Sequence, residues 1–135
     1  MSRDALARTL SDRGIQPSPQ RLAVAAYVLH TTTHPSADRV FDAVRAKTPL
    51  VSRATVYNTL NLLVKKGLLR SLVIAEGKVV FDPNTAPHHH FVDEESGEIH
   101  DVPWRALEVK KLEALPGVEV REYQVVLRGR RTRGR

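Results

Sequence analysis

The sequence predicts an α+β protein in two parts, an N-terminal winged helix-turn-helix and a smaller C-terminal αβ unit, and three observations point to it. Three segments between residues 19 and 67 repeat apolar residues at helical spacing, each behind a serine suited to cap it. Two short strand-like runs, split by a turn at Glu76-Gly77, follow the third segment directly. The charge balance then reverses. Residues 1–82 carry 12 Lys/Arg against 6 Asp/Glu, residues 83–127 carry 4 against 9, and the closing "RGRRTRGR" adds five arginines. At 135 residues the chain is one domain or two very small ones. The expected divisions are residues 1–82, a hinge at 83–87, a second unit at 88–128 and a basic, disordered tail at 129–135. The tail arginines read either as a solvated end or as an auxiliary phosphate contact.

Taken in order, "PQRLAVAAYVLH" (19–30) places Leu22, Ala25, Ala26 and Leu29 at helical spacing, with Ser18 as cap and Pro19 in the first turn. "SADRVFDAVRAK" opens on Ser36 and repeats Ala37, Val40, Phe41 and Val44 at i, i+3, i+4 and i+7. A "TPL" turn separates it from "SRATVYNTLNLLVKKG", which runs from a Ser52 cap to a Gly67 stop with Val56, Leu60, Leu63 and Val64 inward. "LLRSLVIAEGKVVFD" supplies the two strands of the wing. In such a motif the second helix of the pair enters the major groove.

That helix leaves Arg53, Thr55, Tyr57, Asn58, Asn61 and Lys65 on or near its other faces, and Arg21 lies in the first turn of the earliest predicted helix. These residue types bond phosphates and base edges. A polar outer face is by itself equally consistent with simple solvation. The +6 charge of residues 1–82 favours a polyanion, because phosphate neutralisation supplies most nonspecific DNA affinity.

From Pro87 the character changes. "HHFV" and "GEIHDV" read as strands around a "DEESG" turn, "VPWRALEVKKLEAL" as a helix with Pro103 near its first turn, and "GVEVREYQVVLRG" as a closing strand. A unit this small is expected to pair with a second copy. In an extended strand His88 and His90 share a face and His89 points away; Ile99 and Asp101 likewise face opposite to His100. The triple histidine reads either as a solvated loop or as part of a metal site. His34, between two helices, and Asp82, at the end of the wing, both sit at junctions and raise the metal reading, though lone residues of this kind prove little. Three imidazoles and two carboxylates without a thiolate would suit Fe(II), Mn(II) or Zn(II). With no cysteine, disulfides and thiolate ligands are excluded. No stretch approaches the roughly 20 apolar residues of a membrane span, and "MSRDALARTLSDRG" lacks the apolar run of a signal peptide, so a cytoplasmic protein without membrane contact is expected.

Together, "SPQRLAVAAYVLHTTTHPSADRVFDAV", "VSRATVYNTLNLLVKKGLL", "GKVVFD" and "HHHFVDEESGEIHDV" resemble in order and spacing the ferric uptake regulator (Fur) superfamily, over about residues 4–128. The resemblance implies a winged helix that binds DNA, an αβ domain that dimerises, and a regulatory metal between them. It places the family's ligands on His34, Asp82, His88, His90 and Asp101. Aspartate at both acidic positions resembles the peroxide-sensing PerR branch, in which iron-catalysed oxidation converts a ligand histidine to a 2-oxo form; the matching targets are His34 and His88.

Two departures stand out. The cysteine pairs that hold a structural zinc in many relatives are replaced by Asp93-Glu94-Glu95-Ser96 and by the arginine tail, so no structural zinc held by four cysteines is expected. Pro87 and Tyr123 stand where an additional site has histidines, and His89 and His100 are taken as surface residues rather than ligands. The function implied is a metal-dependent homodimeric repressor on palindromic operator DNA, using Fe(II) or Mn(II) and responding to peroxide. The alternative within the family is a sensor of iron, manganese or zinc availability that controls uptake. A metal-independent winged-helix binder remains, whereas a metallohydrolase would need a general base that no residue clearly supplies.

Overall fold

A computed structural model describes residues 1–75 and 77–132; Glu76 of the expected Glu76-Gly77 turn and the last three residues of the arginine tail lie outside the described residues. The chain divides into Met1–Thr85 and Ala86–Arg135.

The first unit contains helices α1 (Arg3–Asp12), α2 (Pro19–Val28), α3 (Ala37–Lys47) and α4 (Arg53–Lys65), then strands β1 (Arg70–Ala75) and β2 (Lys78–Asp82). Each helix begins on a serine in extended conformation whose hydroxyl accepts a backbone N–H of the first turn, Ser2 from Ala5, Ser18 from Arg21, Ser36 from Arg39 and Ser52 from Thr55. That bond satisfies one of the donors a helix start leaves open, which is why the helices begin where the serines stand. Pro49 follows Thr48 in a turn closed by Val51 N–H on the Thr48 carbonyl at 3.0 Å. Helix α4 ends against Gly67, whose φ of +79° only glycine adopts without strain.

Leu6 and Leu10 of α1, Val24, Ala25 and Val28 of α2, Val40 and Val44 of α3, and Val56, Leu60 and Leu63 of α4 form one buried core with Phe81 of the wing. Helix α1 was not expected, because two leucines four apart in a polar stretch are a weak periodic signal. Within α2 the buried face is rotated from the expected one: Val24 and Val28 are fully buried, whereas Ala26 is exposed. Strands β1 and β2 pair antiparallel from Arg70↔Asp82 to Val73↔Val79, which returns the chain to the helices at Phe81 and Asp82.

The second unit is a three-stranded sheet in the order β4-β3-β5, with β3 (His88–Asp93) central, β4 (Ile99–Pro103) antiparallel to it and β5 (Val126–Gly129) parallel. The helix expected over 102–115 does not form. Trp104–Ala106 and Leu112–Ala114 are single 3-10 turns, and Lys111 between them has a φ of +67°. No residue from 103 to 122 is buried, so nothing offsets the cost of nucleating a helix there. The closing strand is also shorter than its sequence run, beginning only at Val126, and it extends to Gly129, the first residue assigned to the tail.

The "DEESG" turn between β3 and β4 is held by Asp93. Its Oδ1 accepts Glu95 N–H at 2.9 Å and Ser96 N–H at 3.4 Å, and its carbonyl accepts Gly97 N–H at 2.7 Å. The Glu95 backbone bond above all holds the Asp93 carboxyl below the usual carboxylate range. A group with a depressed folded pKa adds stability above its unfolded value, and that contribution is lost as pH falls through the folded value. Asp93→Ala is therefore expected to lower Tm by about 5 °C at pH 7. Asp93→Asn, which keeps an acceptor, should cost less, and the wild-type advantage should shrink in thermal melts below about pH 4.

Candidate metal centre

In the first unit, Phe81 N–H donates to the Pro35 carbonyl at 2.9 Å and ties the α2–α3 junction to the end of β2. That tie brings His34 Nε2 to 3.2 Å from Asp82 Oδ2, with both side chains buried. The other Asp82 oxygen accepts Asn84 N–H at 2.9 Å, which leaves Oδ2 toward the imidazole. His34 has a φ of +53°. Non-glycine residues in the left-handed region cost on the order of 1–3 kcal/mol and concentrate at functional sites.

In the second unit, period-two geometry sends His88 and His90 to one face of β3 and His89 to the other. The rings of His88 and His90 meet edge to face at 4.5 Å, while His89 stacks on Trp104 at 4.6 Å. The β3–β4 register sets Asp101 opposite His90, placing its Oδ1 3.3 Å from His88 Nε2 and 3.7 Å from His90 Nε2. Two donors on one ion, each about 2.1 Å from it, stand about 3.0–3.4 Å apart, so the spacing suits a shared cation.

The tautomers suit it as well. His88 Nδ1 donates to the Ala86 carbonyl at 2.7 Å, so the neutral ring presents its Nε2 lone pair to the Asp101 carboxylate. A lone pair and a carboxylate oxygen at 3.3 Å repel unless a proton or a cation lies between them. His90 Nδ1 is oriented by Gln124 Oε1 at 2.8 Å. The three ligand atoms lie within 4.8 Å of one another, a His/Asp cluster able to hold a divalent ion. Gln124 was not singled out from the sequence, because an isolated glutamine 34 residues away carries no local signal. Gln124→Leu should weaken Mn(II) binding by about 10- to 100-fold in calorimetric titration, as loss of an orienting partner does elsewhere; an unchanged affinity would mean that the His90 ring is set by packing alone.

His89 is not the surface residue expected. It is fully buried, its Nδ1 accepts Val125 N–H at 2.9 Å, and Tyr123 completes an aromatic group with Trp104. Burial, with His88 and His90 nearby, pushes its pKa down and favours the neutral ring. His100 is partly exposed, 3.4 Å from Glu98 Oε2 and within 3.1 Å of Arg131 of the tail.

Of the candidate DNA contacts, Asn58 and Asn61 lie exposed on α4, and Thr55 is half-buried beside the Ser52 cap, whose hydroxyl donates to Thr55 Oγ1 at 2.8 Å. Arg21 is half-buried and donates to the Gln16 carbonyl at 3.0 Å. Arg53 and Tyr57 are exposed and both bond Asp38, a residue the sequence did not single out.

A helix-turn-helix with a β-hairpin wing, followed by a sheet that carries a His/Asp ligand cluster, defines a winged-helix protein with a candidate metal centre. The chain belongs to the ferric uptake regulator family, whose model matches residues 12–128. It is 34% identical over 123 residues to the peroxide operon regulator of Bacillus subtilis, covering 90% of this chain and 85% of that one. It is 34% identical over 105 residues to the peroxide-responsive repressor PerR of Staphylococcus aureus, covering 77% and 71%. The structure of the Campylobacter jejuni peroxide stress regulator superimposes with a TM-score of 0.68 at 25% identity, covering 97% of this chain and 96% of that one. No helix among the described residues is long and apolar enough to cross a membrane.

Proposed function

We propose that the protein is a metal-dependent, DNA-binding transcriptional repressor that responds to peroxide, a regulator rather than an enzyme, acting in the cytoplasm as a homodimer on palindromic operator DNA. The observation that carries the metal half of this reading is the convergence of His88 Nε2 and His90 Nε2 on Asp101 Oδ1, at 3.3 and 3.7 Å, a donor set suited to a divalent ion. The similarity to two peroxide-responsive regulators supports the sensing half.

In this reading His34 and Asp82 on one side of residues 83–87, and His88, His90 and Asp101 on the other, hold a single Fe(II) or Mn(II), with Zn(II) also chemically suited. Two donors or three are too few for an ion that prefers five or six, so each half-site has reason to recruit the other. One ion shared across the hinge would fix the angle between the units. In a dimer that angle sets the separation of two α4 helices near one DNA turn, about 34 Å. Residues 83–87 held at that angle would favour the DNA-competent conformation, and by reciprocity DNA would tighten metal binding. Pairing through the second unit is supported by its composition: among its described apolar residues only Ile99 is buried, while Leu115, Val118, Val120 and Leu127 are exposed.

The test is DNA binding of the full chain loaded with Fe(II) or with Mn(II), before and after hydrogen peroxide. Both forms should bind, and only the Fe(II) form should release DNA on oxidation. Metal-dependent binding that survives peroxide with either ion would make the protein a sensor of metal availability instead.

A further inference from the structure

Asp38 stands in the first turn of α3, at the surface through which the helix-turn-helix would meet DNA. Its Oδ1 accepts Arg53 Nη1 at 2.6 Å and Tyr57 Oη at 2.7 Å, so one carboxylate oxygen holds both side chains. Arg53 and Tyr57 lie four residues apart and therefore on one face of α4. The Arg53 guanidinium also covers the Phe41 ring at 4.5 Å, one turn along α3 from Asp38.

All three polar groups are exposed, with side-chain exposures of 68% for Asp38 and 56% for Arg53. Ion pairs of this kind add little to stability. An acid on a face meant for a polyanion also opposes binding, since it cancels the charge of Arg53 and repels phosphate. An acid in the first turn of α3 is favoured there by the helix dipole, but that effect does not require the grip on Arg53 and Tyr57, which needs a reason of its own.

We propose that Asp38 is a specificity-determining positioning residue for DNA recognition, resting on the reading of the protein as a DNA-binding regulator. By accepting the phenol's hydrogen bond, Asp38 removes Tyr57 as a donor to phosphate and pins its ring on the outer face of α4. By engaging Nη1, it leaves the rest of the Arg53 fork directed outward in one orientation. Arg53 and Tyr57 thus meet DNA as one rigid pair. The carboxylate penalises any register that brings a phosphate against them, which is discrimination by repulsion joined to discrimination by contact.

Anisotropy titrations of the full-length Mn(II)-loaded protein test this, using the tightest duplex that wild type selects from a random library and a scrambled duplex of the same composition. Asp38→Ala should bind the scrambled duplex about three- to tenfold more tightly, with the log–log salt dependence steeper by up to about one as Arg53 becomes available to phosphate. The ratio of selected to scrambled affinity should fall by about tenfold or more. Asp38→Asn removes the charge but keeps an acceptor for Tyr57, so it should retain part of that ratio. A ratio that stays at the wild-type value in both variants overturns the proposal, because the two affinities then move together as simple charge removal or autoinhibition requires. Equal ratios in the Asn and Ala variants overturn it too, since pinning would then contribute nothing. If wild type shows no preference among library duplexes, the regulator reading itself fails and takes this role with it.

Discussion

Replacing His88 and His90 together by alanine is expected to abolish metal-activated DNA binding, leaving the weak, salt-sensitive affinity of the basic winged helix. The two rings would supply the nitrogen donors of the proposed sheet half-site, their Nε2 atoms standing 3.3 and 3.7 Å from Asp101 Oδ1. Without them Asp101 alone cannot retain a first-row ion on that side of the hinge. Specific binding by proteins of this type exceeds nonspecific binding by about 10³-fold or more, so operator affinity should drop by at least about 100-fold. The variant should match metal-free wild type rather than fall below it. Because His90 is fully buried in the central strand, its removal also opens a cavity. Circular dichroism and the binding of the scrambled duplex separate unfolding from loss of metal: a folded variant that still tightens on operator DNA with Mn(II) would falsify the assignment of these histidines.

The second large effect is oxidation. Exposure of the Fe(II)-loaded protein to hydrogen peroxide should add one oxygen to peptides carrying His34 or His88 and release the DNA. Bound Fe(II) would supply the reductant that activates peroxide at the site; Mn(II) would not, and would protect. The net change inserts one oxygen into a ring C–H bond and leaves water. A 2-oxo-imidazole is a cyclic urea whose nitrogens carry protons and no basic lone pair, so the oxidised ring no longer ligates. His34 is the more consequential target, because it and Asp82 are the only ligands that the first unit contributes in this reading. Intact DNA binding with no added oxygen on either peptide, after a peroxide dose that oxidises free Fe(II), would remove the peroxide function while leaving metal dependence standing. His34→Ala should be insensitive to peroxide for a different reason, having lost metal activation already.

The aspartate-held turn bears on how the second unit manages without a cysteine-bound zinc. Three hydrogen bonds within five residues close the β3–β4 connection, and Glu94 N–H reaches across to the Gly129 carbonyl at 2.8 Å. The sheet interior on one side is aromatic and imidazole rather than aliphatic, with His89, Trp104 and Tyr123 in mutual contact. Few buried aliphatic residues among those described, with Leu115, Val118, Val120 and Leu127 exposed, would tie the second unit's stability to a second copy in the proposed homodimer. Its melting temperature should accordingly rise with protein concentration.

The local features were determined by sequence alone. Ser18, Ser36 and Ser52 mark helix starts because a cap bonds a backbone group only three residues away, and Gly67 marks a stop because a single residue must adopt positive φ. The alternation that pairs His88 with His90 is equally local, since every strand has period two. Tertiary structure alone decided what depends on distant partners. Val24 and Val28 rather than Ala26 face the core because the other helices define which side of α2 is inside. Residues 103–115 remain extended and turn-like because no buried surface rewards a helix there. His89 is a core residue because Trp104 and Val125, far along the chain, close over it. Gln124 behind His90, and Asp38 beneath Arg53 and Tyr57, are polar residues with no periodic or motif signature. Gln124 makes one long-range hydrogen bond and Asp38 two, of 2.6–2.8 Å, which arise only when strand register and helix packing bring remote atoms together.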